Sequence, residues 1–169
     1  MKLIISGNEY EIGSDTVSAI AAQLPDNALY TELYAELAKM ENSDVRETIA
    51  YKENIDDSTV EALLGDSQLL VLRQILESER GRMLVSEDRL LELADINDSE
   101  LLCLIADNVD SFRQCDALKL GNKLISSSDV KVKQSLASGW ETPEEILYTL
   151  AEDTDVDVSL VARESLARK

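Results

Sequence analysis

The stretch Leu150-Ala151-Glu152-Asp153-Thr154-Asp155-Val156-Asp157-Val158-Ser159-Leu160-Val161-Ala162 has apolar residues at 150, eight positions later at Val158, and four beyond that at Ala162. The same spacing occurs four more times, in Leu37, Val45, Ile49; Leu63, Val71, Ile75; Leu93, Leu101, Ile105; and Leu124, Val132, Leu136. Within a unit the interval never slips, whereas successive units are 26, 30, 31 and 26 residues apart. A packed turn between two helices demands a constant interval. A loop tolerates insertion, because its closure entropy grows slowly with length. The pattern predicts about five helical repeats over 37–169, one continuous domain, with 1–36 as an N-terminal hairpin and helical cap.

Composition supports helices. The chain has 169 residues, 44% of them hydrophobic, with 4% aromatics, six glycines and two prolines. That suits helices packed through Leu, Ile, Val and Ala better than a turn-rich β-sandwich. No apolar run approaches the roughly 20 residues that span a bilayer, and Leu3 to Ile5 is followed at once by Ser6-Gly7-Asn8-Glu9, with no signal-peptide core. A cytoplasmic protein is expected.

Charge narrows the function. Sixteen Lys and Arg face 34 Asp and Glu, a formal net charge of −18, so direct binding to a phosphate backbone is disfavoured and a partner with a basic surface or segment is favoured. The absence of histidine excludes His-dependent triads and general bases. Cys103 and Cys115, expected in helices as buried free thiols, are too few to close a zinc or iron–sulfur site within one chain. No cofactor, metal or catalytic residue is assigned.

Toward the N-terminus, Leu3, Ile5, Tyr10 and Ile12 alternate around a Ser6-Gly7-Asn8-Glu9 turn, the signature of a short hairpin expected to cover the open end of the array. Ser14 or Asp15 can cap a helix carrying Val17, Ile20, Ala21 and Leu24 that Pro25 ends. Asn27 can start a helix with a Leu29, Leu33, Leu37 stripe beside Tyr30 and Tyr34. Ser58 with Glu61, and Thr142 with Glu145, have capping-box spacing, with Pro143 as a first helical residue. Gly65 and Gly121 are expected helix stops, and a further helix is expected to begin near Ser111 or Phe112.

These units resemble the leucine-rich repeat variant family among the HEAT-like α-solenoids, whose pattern is L-A-x-D-x-D-x-x-V-R-x-x-V-A-x-N-P-x-T-P. Leu150-Ala151 through Asp153, Asp155 and Val158 matches its first half, and Leu37-Ala38 through Val45-Arg46 to Ile49-Ala50 follows it with Met40 and Asn42 in place of the acids. Leu93-Ala94, Asp98, Leu101 and Ile105-Ala106 match in the third unit, and Val132-Lys133 to Leu136-Ala137, then Thr142-Pro143, supply the second half. Gly139-Trp140 stands where Asn-Pro is expected, and Lys52-Glu53 stands there in the first repeat. The resemblance implies an all-α, short right-handed α-solenoid with a small N-terminal β-hairpin cap, and a binding surface in place of a reaction. Some members carry an N-terminal iron–sulfur cluster; with no cysteine before Cys103, that feature is not carried over.

Three constellations remain. Asp153, Asp155, Asp157 and Glu164 have EF-hand spacing, but the position that needs glycine is the core residue Val158, and the repeat pattern already explains the first two acids. Arg73, Arg80, Arg82 and Arg89 are expected to balance Glu77, Glu79, Glu87 and Asp88. From Gln134 to Ala162 there is no Lys or Arg, while Glu141, Glu144, Glu145, Glu152, Asp153, Asp155 and Asp157 accumulate around the single Trp140. Trp140, Glu141, Glu144, Glu145, Asp153, Asp155 and Asp157 therefore form the candidate partner-binding set. The expected function is a non-enzymatic acidic protein-interaction module. The alternative is a nucleic-acid-mimicking inhibitor of a DNA-binding protein, which needs acids in rows at phosphate-like spacing.

Overall fold

The computed structural model describes residues 2–169, apart from the side chain of Leu3, and divides into two compact units, Met1–Ser78 and Glu79–Lys169. Among the described residues are twelve α-helices and one two-stranded antiparallel sheet. The all-α expectation holds.

In the first unit, β1 (Lys2–Ile5) pairs with β2 (Asn8–Glu11), Lys2 opposite Glu11 and Ile5 opposite Asn8. Ser6 and Gly7 alone make the turn, at φ 51° and 81°, so Asn8 and Glu9 belong to the second strand and not to the turn. Positive φ at both central residues matches the right-handed twist of the strands. The hairpin forms as expected, but Ile4, Ile5 and Tyr10 stay more than half exposed. Helix α1 (Ser14–Gln23) buries Val17 and Ala21 and packs on α3 (Ser43–Ala50).

Helix α1 starts after Gly13, without a side-chain cap from Ser14 or Asp15. Asn27 does accept from the Leu29 N–H, but it opens a 3₁₀ turn over Ala28–Tyr30 before α2 (Thr31–Leu37). That turn changes the phase of the stripe. Leu29 is 87% exposed, while Tyr34, Leu37 and Ala38 are buried. The Tyr34 hydroxyl donates to the Pro25 carbonyl and accepts from the Asn27 N–H, pinning the loop on the helix. Helices α4 (Asp57–Leu64) and α5 (Leu69–Glu77) complete the unit, with α1, α3 and α5 in contact in sequence, α2 on α4, and α4 on α5.

The second unit holds α6 (Glu79–Leu84), α7 (Glu87–Leu93), α8 (Ser99–Asp107), α9 (Ala117–Ile125), α10 (Val130–Ser138), α11 (Glu144–Leu150) and α12 (Val156–Arg168). Here α8 packs on α10 and α10 on α12, while α9 packs on α11. Helix α6 is the extra length between the second and third units of the sequence pattern. No helix begins at Ser111 or Phe112; Phe112 is buried in a turn, and Asp116 caps α9.

All fifteen recurrent residues are at most 2% exposed. In each unit the first lies in the last two residues of one helix and the other two lie in the next, in the pairs α2–α3, α4–α5, α7–α8, α9–α10 and α11–α12. The constant interval has a second cause five residues after each first Leu, where the next helix is capped. Asn42, Asp98, Asp129 and Asp155 accept backbone N–H bonds there. At the fifth site Gln68 makes no side-chain cap, and Asp66 accepts its N–H from two residues upstream. Asp56 and Asp116 cap α4 and α9 in the same way. Five aspartates thus cap helices directly and Asp66 serves a sixth start, at about 1 kcal/mol per cap.

Two expected caps moved. Asp56, not Ser58, caps α4, and Thr142 donates its hydroxyl to the Leu136 carbonyl at 2.7 Å and leaves Pro143 to precede α11. Gly65 ends α4 as expected. Gly121 does not end α9: it is buried mid-helix, where an added Cβ would lie 2.9 Å from Ile146 of α11. It is a contact point between two helices.

Each unit also carries an ion pair from one helix pair to the next, with identical spacing. Arg46 reaches Asp66 at 2.5 Å in the first unit, and Lys133 reaches Asp153 at 2.8 Å in the second. Between the third and fourth pairs the polarity reverses, Lys123 reaching back to Asp95 at 2.5 Å.

The buried hydroxyl of Thr59 lacks a hydrogen-bond partner among the described residues. Thr59, 3% exposed in α4, leaves its Oγ1 unbonded. Thr59→Val keeps shape and branching while removing that hydroxyl, so it should raise stability by about 1 kcal/mol, read as a higher urea midpoint. A lower midpoint would show that the hydroxyl is satisfied.

Candidate functional site

Helix α10 ends at Ser138, and the chain turns through Gly139-Trp140-Glu141-Thr142 before Pro143 admits α11. The turn is closed by the Thr142 N–H donating to the Gly139 carbonyl at 3.4 Å, with Trp140 and Glu141 at its centre. Thr142 is fully buried and fixes the corner from below. Gly139 is required by close approach, since a Cβ there would sit 2.5 Å from the Thr142 hydroxyl. With both flanks held, Trp140 projects outward and is 78% exposed.

Beside the indole lies a cavity of about 390 Å³ lined by Ser138, Gly139, Trp140, Glu141, Ser165, Arg168 and Lys169. The end of α12 thus comes to the α10–α11 corner. Lys169 Nζ donates to the Thr142 carbonyl at 2.6 Å, and Arg168 donates to Ser165 Oγ at 2.9 Å and to the Glu164 carbonyl at 3.2 Å. Among the described residues neither cation has a carboxylate within ion-pair distance. The Glu141 carboxyl meets that of Asp110, whose hydrogen bond and negative charge hold its pKa above the usual 4.5, with Lys169 acting in the opposite sense.

The candidate set is split. Glu141, Glu144 and Glu145 lie at the start of α11, the last two exposed in its first turn, where acids suit the helix dipole. Asp153, Asp155 and Asp157 lie past its other end, and seven residues of helix separate the two groups by about 10 Å. Asp153 is bound to Lys133 and accepts from the Asp155 N–H; these bonds, Lys133 first, hold its carboxyl below the usual 3.8. Asp155 accepts from the Asp157 and Val158 N–H groups. These two acids face their own fold. Asp157 is exposed within α12, and Glu164 is in the same helix, so the EF-hand spacing does not close into a loop; no group of three or more metal-ligating side chains gathers among the described residues.

The cation-free stretch is not cation-free in space. Arg168 and Lys169 are 28 and 29 residues beyond Trp140 and belong to no repeated position, so sequence carried no signal for them. Asp110, in the turn after α8, was equally unmarked. In the arginine-rich stretch, Glu87 pairs with Lys119, and Arg89 with Glu92 at 3.2 Å. Cys115 lies before α9 and not within a helix. Both thiols are free and half-buried, not fully buried, and burial foremost pushes the Cys115 thiol up. No helix among the described residues is long and apolar enough to cross a membrane.

No protein-family model, curated protein or solved structure matches this chain.

Proposed function

We propose that the chain is a non-enzymatic protein-interaction module, a short α-solenoid of HEAT-like repeats of the leucine-rich repeat variant kind, acting in the cytoplasm. The observation that carries the binding role is Trp140, the single tryptophan, 78% exposed at the tip of a turn held by Thr142. Large aromatic anchors on a rigid support dominate the energetics of protein interfaces. Glu141, Glu144 and Glu145 flank it, and the net charge of −18 favours encounter with a partner carrying a basic segment. The use of Asp153 and Asp155 within the fold leaves fewer free acids for rows, which favours the module over a nucleic-acid mimic.

Trp140→Ala should reduce recovery of the partner by about tenfold or more in a salt-graded pull-down, while changing stability by less than about 0.5 kcal/mol, as for other exposed sites. A large drop in the melting midpoint with unchanged recovery would return Trp140 to a packing role.

A further inference from the structure

We propose that the cavity at the α10–α11 corner is a binding site for a carboxylate carried next to a flat apolar group. The inference rests on the reading of Trp140 as a contact residue and adds the chemistry of what it contacts.

Three features define the ligand. The cavity, about 390 Å³, offers room for a small ring and its acid side arm. Its wall includes the indole of Trp140, a flat apolar face free for stacking because the side chain is 78% exposed. Its polar lining is led by Arg168 and Lys169, neither paired with a carboxylate among the described residues, in a chain where acids outnumber bases by 34 to 16. Arg168 directs Nη2 to Ser165 and Nε to the Glu164 carbonyl, so its fork is oriented by α12 itself.

A guanidinium fork prefers a planar oxyanion, and one negative charge suits this place better than two. Glu141 lines the same cavity and Asp110 meets it, so a dianionic phosphate would be opposed where a monoanionic carboxylate is tolerated. A cationic ligand would have to displace or confront Arg168 and Lys169. The carboxylate has two possible sources, a free aromatic acid or an Asp or Glu beside an aromatic residue in a peptide.

Trp140 is its own reporter, since no other tryptophan is present. Hydrocinnamate and the dipeptide acetyl-Asp-Phe-amide are titrated into the full chain with tryptophan fluorescence as readout, with hydrocinnamide and acetate as controls for the ring and the charge alone. A saturable change with either acid, absent with both controls, supports the site, and the tighter of the two identifies the source. Arg168→Gln should weaken binding about tenfold, the loss of one charge-assisted bond. Glu141→Gln should strengthen it. Failure of both acids to saturate, an equal response to hydrocinnamide, or weaker binding in Glu141→Gln each overturns the proposal. A partner that still depends on Trp140 in the pull-down would then leave the module reading standing by itself.

Discussion

Leu136→Ala is expected to lower stability by about 3 kcal/mol, seen as a lower urea midpoint by circular dichroism with little change in slope. Leu136 is fully buried in α10, and α10 is the helix of the second unit that touches α8, α9, α11 and α12. Surroundings tied on four sides relax little, so the cavity left by the missing methyls persists. Leu160→Ala gives the contrast: Leu160 is in α12 but 54% exposed, and its loss should stay within about 0.5 kcal/mol. The Leu136 carbonyl also receives the Thr142 hydroxyl. Loosening α10 should therefore weaken partner recovery too, linking a core residue to the corner that presents Trp140. Equal, small losses in both variants would mean that the recurrent positions do not hold the helix pairs together.

Asp66→Ala is expected to cost about 3 kcal/mol, because one carboxylate does two tasks. It receives the Arg46 guanidinium, with the two side chains only 6% and 14% exposed, and it accepts the Gln68 N–H at the start of α5, which has no cap of its own. Arg46 meanwhile holds the Met40 and Glu41 carbonyls of its own turn. Asp66→Asn keeps an acceptor for the N–H but removes the charge, so it should recover part of the loss. The pH dependence follows from the same bonds. Burial pushes the Asp66 carboxyl up, but the Arg46 hydrogen bond and the Gln68 N–H outweigh it, leaving the folded value below the usual 3.8. Stability from this group is complete above that usual value and is lost as the pH falls through the lower, folded one. Asp153, depressed by Lys133, adds to the same acid limb. The stability of Asp66→Ala should thus fall less steeply below pH about 4 than that of the parent; parallel acid limbs would contradict the assignment.

The helix pairs were legible because they are local. Eight residues from Leu150 to Val158 are the length of a helix end, a tight turn and the first turn of the next helix, so the interval records one packed joint. Where local signals misled, a neighbour in space had altered the choice. Thr142 with Glu145 looks like a capping box, yet Thr142 serves the Leu136 carbonyl; Gly121 looks like a stop, yet it makes room for Ile146. The stripe on α2 shifted because three residues of 3₁₀ turn advance the chain by a different angle than α-helix does.

By itself, the sequence determined the helix pairs, their fifteen buried anchors, the hairpin and the excess of acid. Each is set by side-chain periodicity or composition over a short stretch of chain. Tertiary structure alone decided which charges are free. Asp153 is consumed by a lysine 20 residues earlier, Asp155 by its own helix, and the corner that seemed purely acidic receives Arg168 and Lys169 from the end of α12. Charge acts through distance in space, and the short-range periodicity that marks a helix pair does not record which distant side chains come together.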